Sequence, residues 1–311
     1  MLNSLEDIGG REGFVIAPFA PSAACPIVML CGQRTTKQHL EHSDSSIPAA
    51  TSCEGDADAL YPFDCFHDAV ASGRFHKLVL ARKKAVLFHA SERHGSIDTL
   101  ALFHRACELY PRMMIMLFST PVTGTWLMAT PEILLESKSN TVHTIALAGT
   151  MPYSEGYAEW SEKNKTEQHV VEQYIEDTIK PFATNIIKDG PYTARAGNLQ
   201  HLRTDFRFQM SQPLGKIISR LHPTPAVCGL PKAEAQQFIA QNEGMDRRYY
   251  SGFAGPINID GDTHLYVSLR CAELLDSHAI LYAGGGIMPD SQKQQEWLET
   301  ESKMQTIGNV L

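Results

Sequence analysis

Glu296, Glu299 and Lys303 stand at i, i+3 and i+7, so a helix over this stretch carries all three on one face. Two neighbouring carboxylates suit Mg²⁺, a hard cation that takes oxygen ligands and keeps several waters. The same spacing also makes a solvated face with an i,i+4 ion pair such as Glu299–Lys303, and on spacing alone that is the commoner outcome. In SEKNKTEQHVVEQ, Glu167 lies about one turn before Val170 and Val171. It can complete a metal site from a second helix, or stay at the surface as most glutamates do. Lys77 opens the apolar run KLVLARKKAVLF. Desolvation can discharge such a lysine and make it a base, while a lysine at a strand edge can equally snorkel to water. Glu132, in ATPEILLE, precedes another apolar run. A desolvated carboxyl there can keep its proton and act as a general acid, and an ordinary turn glutamate is the plainer alternative. AGGGI (283–287) and LAGT (147–150) are small-residue turns that let a ligand approach the backbone. AGGGI lacks the GxGxxG spacing, which argues against a dinucleotide site.

These residues need elements to hold them. FVIAPF and PIVMLCG read as short strands. The polar segment from Glu41 to Asp58 reads as a loop, and Asp64 as the cap of a helix ending near Gly73. KLVLARKKAVLF reads as a strand with one face more apolar than the other, and 97–109 as a helix. MMIMLFS, TWLMAT, EILLES and TVHTIALAG are short runs between turn residues, which predicts an antiparallel sheet. Ser161 to about Lys180 reads as a helix with Val170, Val171, Tyr174, Ile175 and Ile179 as its apolar stripe. NLQHLRTDFRF reads as a strand and Lys232 to Gln241 as a helix. YYSGFAGPI and THLYVSLRCAELL flank an Asp-Gly turn and predict a hairpin. HAILYAGGGI is a further strand, and Ser291 to about Ile307 is the final helix. Many antiparallel strands with segregated helices make an α+β protein, and no linker in the second half divides it into domains.

Composition narrows the partners. The chain is 43% hydrophobic and 20% charged, as soluble globular proteins are. A net charge of −8 without a basic run argues against nucleic acid and anionic membranes. Cys25, Cys31, Cys53, Cys65, Cys107, Cys228 and Cys271 form no CxxC pair, which reads as reduced cytoplasmic thiols. MLNSLEDIGG has no apolar core of a signal peptide, and no apolar stretch is long enough to span a bilayer.

The order of the motifs is more specific than any one of them. From about Phe75 onward they run FHKLVLAR, ATPEILLE, LAGTMP, SEKNKTEQH, LQHL, LHPTPAVCGLPK, DRRYYSGFAG, VSLRCAEL, LYAGGGI and QEWLETESK. In this order the chain resembles the chorismate-utilising enzymes, which include isochorismate, salicylate, anthranilate and aminodeoxychorismate synthases. The resemblance implies one chorismate-binding domain over 1–311, with a shortened, variable part at 1–60 and the family core at 75–311. It implies two largely antiparallel sheets packed together with helices outside. It makes Lys77 the base that activates water and Glu132 the acid that protonates the departing C4 hydroxyl. Glu167 and Glu299 match Mg²⁺ ligands, and Glu296 a carboxylate that often acts through water. Arg270 matches the grip on a substrate carboxylate, and Gly149, Thr150 and Gly284 a backbone cradle. His201, Ala226 and Tyr250 match pocket residues, and Lys303 lies near the metal-bound carboxylate.

Within the family, lysine at 77 points to water rather than ammonia as nucleophile, since amino-transferring members typically carry glutamine there. Ala148 stands where aminodeoxychorismate synthases typically have lysine. HPTPAV, with Ala226, resembles the isochorismate synthases, whereas salicylate synthases commonly have threonine near that position. AGGGI replaces the commoner AGAGI, and Asn164 stands where aspartate is usual. The expectation is an Mg²⁺-dependent, monomeric, cytoplasmic isochorismate synthase feeding menaquinone or catecholate siderophore synthesis. The alternatives are a salicylate synthase and a non-catalytic chorismate-binding protein.

Overall fold

A computed structural model describes residues 1–32, 50–52, 61–88, 97–155, 159–197 and 199–311. Among these the chain forms fifteen β-strands and six α-helices. Strands β1 (Gly13–Ala17), β2 (Val28–Leu30) and β3 (Ala50–Ser52) come first. Helix α1 (Phe63–Ala71) buries Phe63, Phe66, Ala69 and Val70 and leads into β4 (Lys77–Phe88). Helix α2 (Thr99–Leu109) starts at Asp98, whose carboxylate accepts from the N–H groups of Leu100 and Ala101. Strands β5 (Met114–Thr120), β6 (Gly124–Thr130), β7 (Ile133–Lys138) and β8 (Thr141–Pro152) follow. Ser161 caps α3 (Glu162–Ile179) by accepting from Asn164 N–H. Then come β9 (Ala183–Ala196), β10 (Leu199–Met210), α4 (Leu214–Leu221), β11 (Gly229–Leu230) and α5 (Lys232–Asn242). The chain ends with β12 (Phe253–Ile257), β13 (Asp262–Val267), β14 (Cys271–Leu274), β15 (His278–Ile287) and α6 (Lys293–Gly308).

The strands form two sheets. One runs β2-β1-β12-β13-β7-β8-β10-β9, the other β11-β4-β15-β14-β6-β5, with β3 also paired to β4. Neighbours within each sheet are antiparallel. Helices α3 and α4 cover the first sheet through Val171, Ile175, Ile217 and Ile218, packed against Ala146, Phe206 and Phe208. Helices α2 and α6 cover the second through Leu102, Ala106, Met304 and Ile307. Ile16 and Val28 of the first sheet meet Ala81, Trp126, Met128 and Tyr282 of the second around Tyr249 and Tyr250. The molecule is therefore α+β, two antiparallel sheets face to face with helices outside, as expected.

Local expectations differ in four places. Residues 50–52 pair with β4 instead of lying in a loop, and the rest of Glu41–Asp58 lies outside the described residues. Pro62, not Asp64, occupies the cap of α1, and Asp64 lies in its first turn. On α3, Val170 and Tyr174 are only half-buried, and Gln168 and Glu172 take inward positions beside Val171, Ile175 and Ile179. THLYVSLRCAELL is not one strand, because β13 belongs to the first sheet and β14 to the second. Between them Arg270 turns the chain at φ 46°.

That turn positions the site, because the chain passes between the sheets at two adjacent places. Pro131 and Glu132 link β6 to β7, and Ser268 to Arg270 link β13 to β14. The two crossings are laced together. Val267 N–H donates to the Glu132 carbonyl at 2.9 Å, Ala129 N–H to the Arg270 carbonyl at 3.0 Å, and Thr130 Oγ1 to the Val267 carbonyl at 2.7 Å.

Candidate active site

Strand alternation aims the first group of side chains. On β4, Leu78 and Leu80 pack against α1 and α5, which leaves Lys77 and Val79 facing the gap between the sheets. On β15, Tyr282, Gly284 and Gly286 point the same way. The gap opens into a cleft of about 600 Å³. Its walls hold Lys77, Glu132, Gly149, Thr150, Glu167, His201, Ala226, Tyr250, Arg270, Gly284 and Lys303. Every residue expected to do acid–base work or to bind substrate therefore lines one cavity. Leu147, Val227 and Leu269 add an apolar wall that motif order alone did not reveal.

Lys77 is almost fully buried, and its ammonium lies 2.8 Å from Glu167 Oε1. Burial acts to raise the Glu167 carboxyl, but the bonded lysine outweighs it and holds the group below its usual range. Glu132 is also buried, with Thr224 Oγ1 3.4 Å from its Oε1. Burial pushes Glu132 up to about 7, against the opposing pull of Lys77, Thr224, Arg270 and Lys303.

Arg270 carries a buried charge, and burial pushes its guanidinium down to about 10. One of its nitrogens bonds His201 Nε2 at 3.0 Å, while NH1 is buried without a hydrogen-bond partner. His201 Nδ1 is 2.9 Å from the Gly149 carbonyl. A carbonyl only accepts and a guanidinium only donates, so the imidazole carries its proton on Nδ1 and accepts at Nε2. Burial, helped by Arg270 and Lys303, pushes His201 down to about 3 and keeps it neutral. A neutral ring thus braces a cation whose NH1 finds no hydrogen-bond partner among the described residues. A buried, unmatched arginine donor is costly unless a ligand carboxylate meets it.

The cradle is a β-bulge. Along β10 the pairing runs Leu202↔Ala148 and then Gln200↔Met151, so Gly149 and Thr150 together oppose His201. Gly149 adopts φ 67°, a conformation natural to glycine. Across the cleft a side chain at Gly284 would come 2.9 Å from the Tyr250 hydroxyl, and one at Gly286 2.2 Å from Glu167 Oε1. The glycines of AGGGI make room for the side chains of Tyr250, Glu167 and Lys77.

The three carboxylates expected at a metal come from α3 and α6. Lysines hold each of them: Lys77 bonds Glu167, Lys303 bonds Glu299 at 2.6 Å, and Lys163 bonds Glu296. Glu296 and Glu299 do not line the cleft itself but stand over Gly285, next to the residue that faces Glu167. Among the described residues no three His, Cys, Asp or Glu side chains are grouped closely enough to hold a metal ion as they stand. The chemistry nevertheless fits a hard divalent cation. All the donors are carboxylate oxygens, and Glu296 Oε2 is buried with no partner. Burial, and after it the neighbouring Glu299, raise the Glu296 carboxyl despite Lys163, which is the condition a cation relieves.

Residues missed by motif reading hold the site in place. Arg247, buried, bonds Glu243 and donates to the carbonyls of Val79 at 2.8 Å and Val227 at 2.6 Å. Glu243 accepts from Ala81 N–H at 2.8 Å. This pair ties the segment bearing Tyr250 to β4, and its i,i+4 spacing was the available signal. Six described cysteines are free, and no described helix is long and apolar enough to cross a membrane.

The chain matches the family model for chorismate binding enzymes over residues 57–311. It is 32% identical over 259 residues to the salicylate biosynthesis isochorismate synthase of Pseudomonas aeruginosa, a match covering 78% of this chain and 53% of that one. It is 30% identical over 254 residues to the isochorismate synthase EntC of Escherichia coli K12, covering 77% of this chain and 63% of that protein. It thus spans between half and two thirds of the length of these relatives. Its fold superposes on MenF, the menaquinone-specific isochorismate synthase of Escherichia coli, with a TM-score of 0.77 at 25% identity. That match covers 88% of this chain and 66% of the other.

Proposed function

Because this chain belongs to the chorismate binding enzyme family, we propose that it is an isochorismate synthase that uses Mg²⁺. The observation that carries this reading is Lys77 sharing a cleft with Glu132, a carboxyl that burial pushes up to about 7. A buried lysine and a buried carboxyl that keeps its proton near neutrality, in one cleft, are the residue types that the isomerisation would use as base and acid.

Chorismate is a dianion. Arg270 NH1 supplies a donor for one carboxylate, with the Gly149–Thr150 backbone beside it. Water adds at C2 as Lys77 removes its proton. The ring double bonds shift, and the C4 hydroxyl leaves as water with a proton from Glu132. The proton gained by Lys77 equals the proton lost by Glu132, so proton exchange with solvent resets the site. Ala226, Val227, Leu147 and Leu269 would give the ring an apolar wall. Glu167 and Glu299, with Glu296 beside them, would hold Mg²⁺, which neutralises the second carboxylate when bound. The product serves menaquinone or catecholate siderophore synthesis, and the domain acts as a single unit over 1–311.

The test is direct. Protein, chorismate and Mg²⁺ are incubated and the products separated by chromatography, with Lys77→Ala alongside. Isochorismate from the wild type, and a loss of about 10²-fold or more in the variant, support the reading. Salicylate with pyruvate, or full turnover by Lys77→Ala, contradicts it.

A further inference from the structure

We infer that Gln168 is the positioning residue for the Gly149–Thr150 cradle, an assignment that rests on the isochorismate synthase reading of that site. The reason lies at the irregular end of β8. The strand pairs with β10 along its length, Ala146 opposite Thr204 and Ala148 opposite Leu202, and the register breaks immediately afterwards. The β7–β8 turn pairs Lys138 with Thr141, and Met210 N–H donates to the Asn140 carbonyl, so the even-numbered residues of β8, Ala146 and Ala148 among them, turn their backbone groups toward β10. Both residues are buried, so these groups need partners from within the protein.

Gln168 adds a side-chain partner to each. Its Oε1 accepts from Ala148 N–H at 2.8 Å and its Nε2 donates to the Ala146 carbonyl at 3.2 Å. One side chain from α3 thus bonds both of the residues of β8 that lead into the bulge. A third contact fixes the amide's orientation. Nε2 is 3.2 Å from Thr204 Oγ1, and that hydroxyl donates to Glu172 Oε2 at 2.7 Å. A hydroxyl has one proton, so Thr204 must accept from Gln168, and the amide cannot be flipped. Glu172 is held in turn by Lys188 at 2.5 Å.

The clamp sits where it matters. Ala148 is the last residue in regular register before the bulge that exposes Gly149 and Thr150. Glu167, the partner of Lys77, is the residue before Gln168 on α3. One turn of helix therefore sets the cradle and the base's partner relative to each other. A buried glutamine that merely satisfied its own polar atoms would not need to be bonded to both sides of this position.

The experiment uses the full chain with Gln168→Leu, Gln168→Glu and Thr204→Val. Ile179→Val, on the same helix and away from the cradle, controls for general loosening. Chorismate KM and kcat are measured with Mg²⁺, and hydrogen exchange is followed at the Ala148 amide. Gln168→Leu should raise KM about tenfold or more while kcat changes far less, since Lys77 and Glu132 remain. The Ala148 amide should lose protection. Gln168→Glu still accepts from Ala148 but cannot donate to Ala146, and should fall between. Ile179→Val should lower Tm and leave KM alone. Unchanged KM in Gln168→Leu, or an Ala148 amide as protected as in the wild type, overturns the assignment. If Gln168→Leu does not fold, Gln168→Glu and Thr204→Val decide by the same two readouts. If the wild type makes no isochorismate, the proposed function fails, while the exchange measurement still judges the clamp.

Discussion

The Glu132 carboxyl has almost no contact with water, and burial raises it from 4.5 to about 7 despite three nearby cations. A general acid must carry its proton, so kcat/KM should fall as pH rises through about 7. Stability should move the same way. Between pH 4.5 and about 7 the unfolded chain has released a proton that folded Glu132 keeps, so stability drops as pH rises through that window. Glu132→Gln should remove this falling limb and lower kcat by about 10²-fold or more. A pH–rate profile and thermal melts across the window check both. Arg270 offers the converse test. Among the described residues its guanidinium NH1 has no hydrogen-bond partner, so Arg270→Met should raise Tm while chorismate KM rises by about 10²-fold. Lys77, Glu132 and Arg270 were legible from motif order. The pairing of Lys77 with Glu167 and the proton position on His201 were not, because each depends on elements far apart in the chain.

At the level of elements, the local alphabet was readable wherever one face met the core. β4 runs from Lys77 to Phe88 as expected, because its apolar residues resume on both faces after Arg82, Lys83 and Lys84. The split between β13 and β14 was hidden, since apolar alternation continues through Val267–Cys271 while the chain changes sheets. β9 was missed because most of its residues are exposed on both faces, so it has no period to read. α4 carried a readable signal in Leu214, Ile217, Ile218 and Leu221 but was passed over between prolines. The glycine strand gives a sharp contrast. A methyl at Gly285 would come 3.1 Å from Glu296 Oε2, a contact that the flexible end of a side chain can relieve. At Gly286 it would fall 2.2 Å from Glu167 Oε1 and 2.8 Å from Lys77 Cε. Gly285→Ala should keep near-normal turnover, whereas Gly286→Ala should lose about 10²-fold by displacing the Lys77–Glu167 pair. Steady-state kinetics on the two variants separates them.

Over the whole molecule, a chain of net charge −8 gathers Lys77, Arg270 and Lys303 around one cleft, where a dianion can be held. The acidic balance was visible in the composition, but the local reversal of sign was not, since it depends on both sheets closing over the same space. Glu167, Glu296 and Glu299 bring three carboxyl groups beside that cleft, each bonded to a lysine, as a proposed site for Mg²⁺. Chelation of divalent cations should therefore abolish turnover and leave the fold intact, as read by activity and circular dichroism with EDTA. Glu299→Gln should raise the Mg²⁺ concentration needed for half activity. The central claim is that Lys77 activates a water that enters at C2 while the C4 hydroxyl departs. Turnover of chorismate in water labelled with heavy oxygen, followed by mass spectrometry of the product, tests it most directly. The account predicts isochorismate carrying the label in its C2 hydroxyl, and no label from the Lys77→Ala variant over the same time. Unlabelled isochorismate, showing that the original hydroxyl had migrated within the substrate, would contradict it.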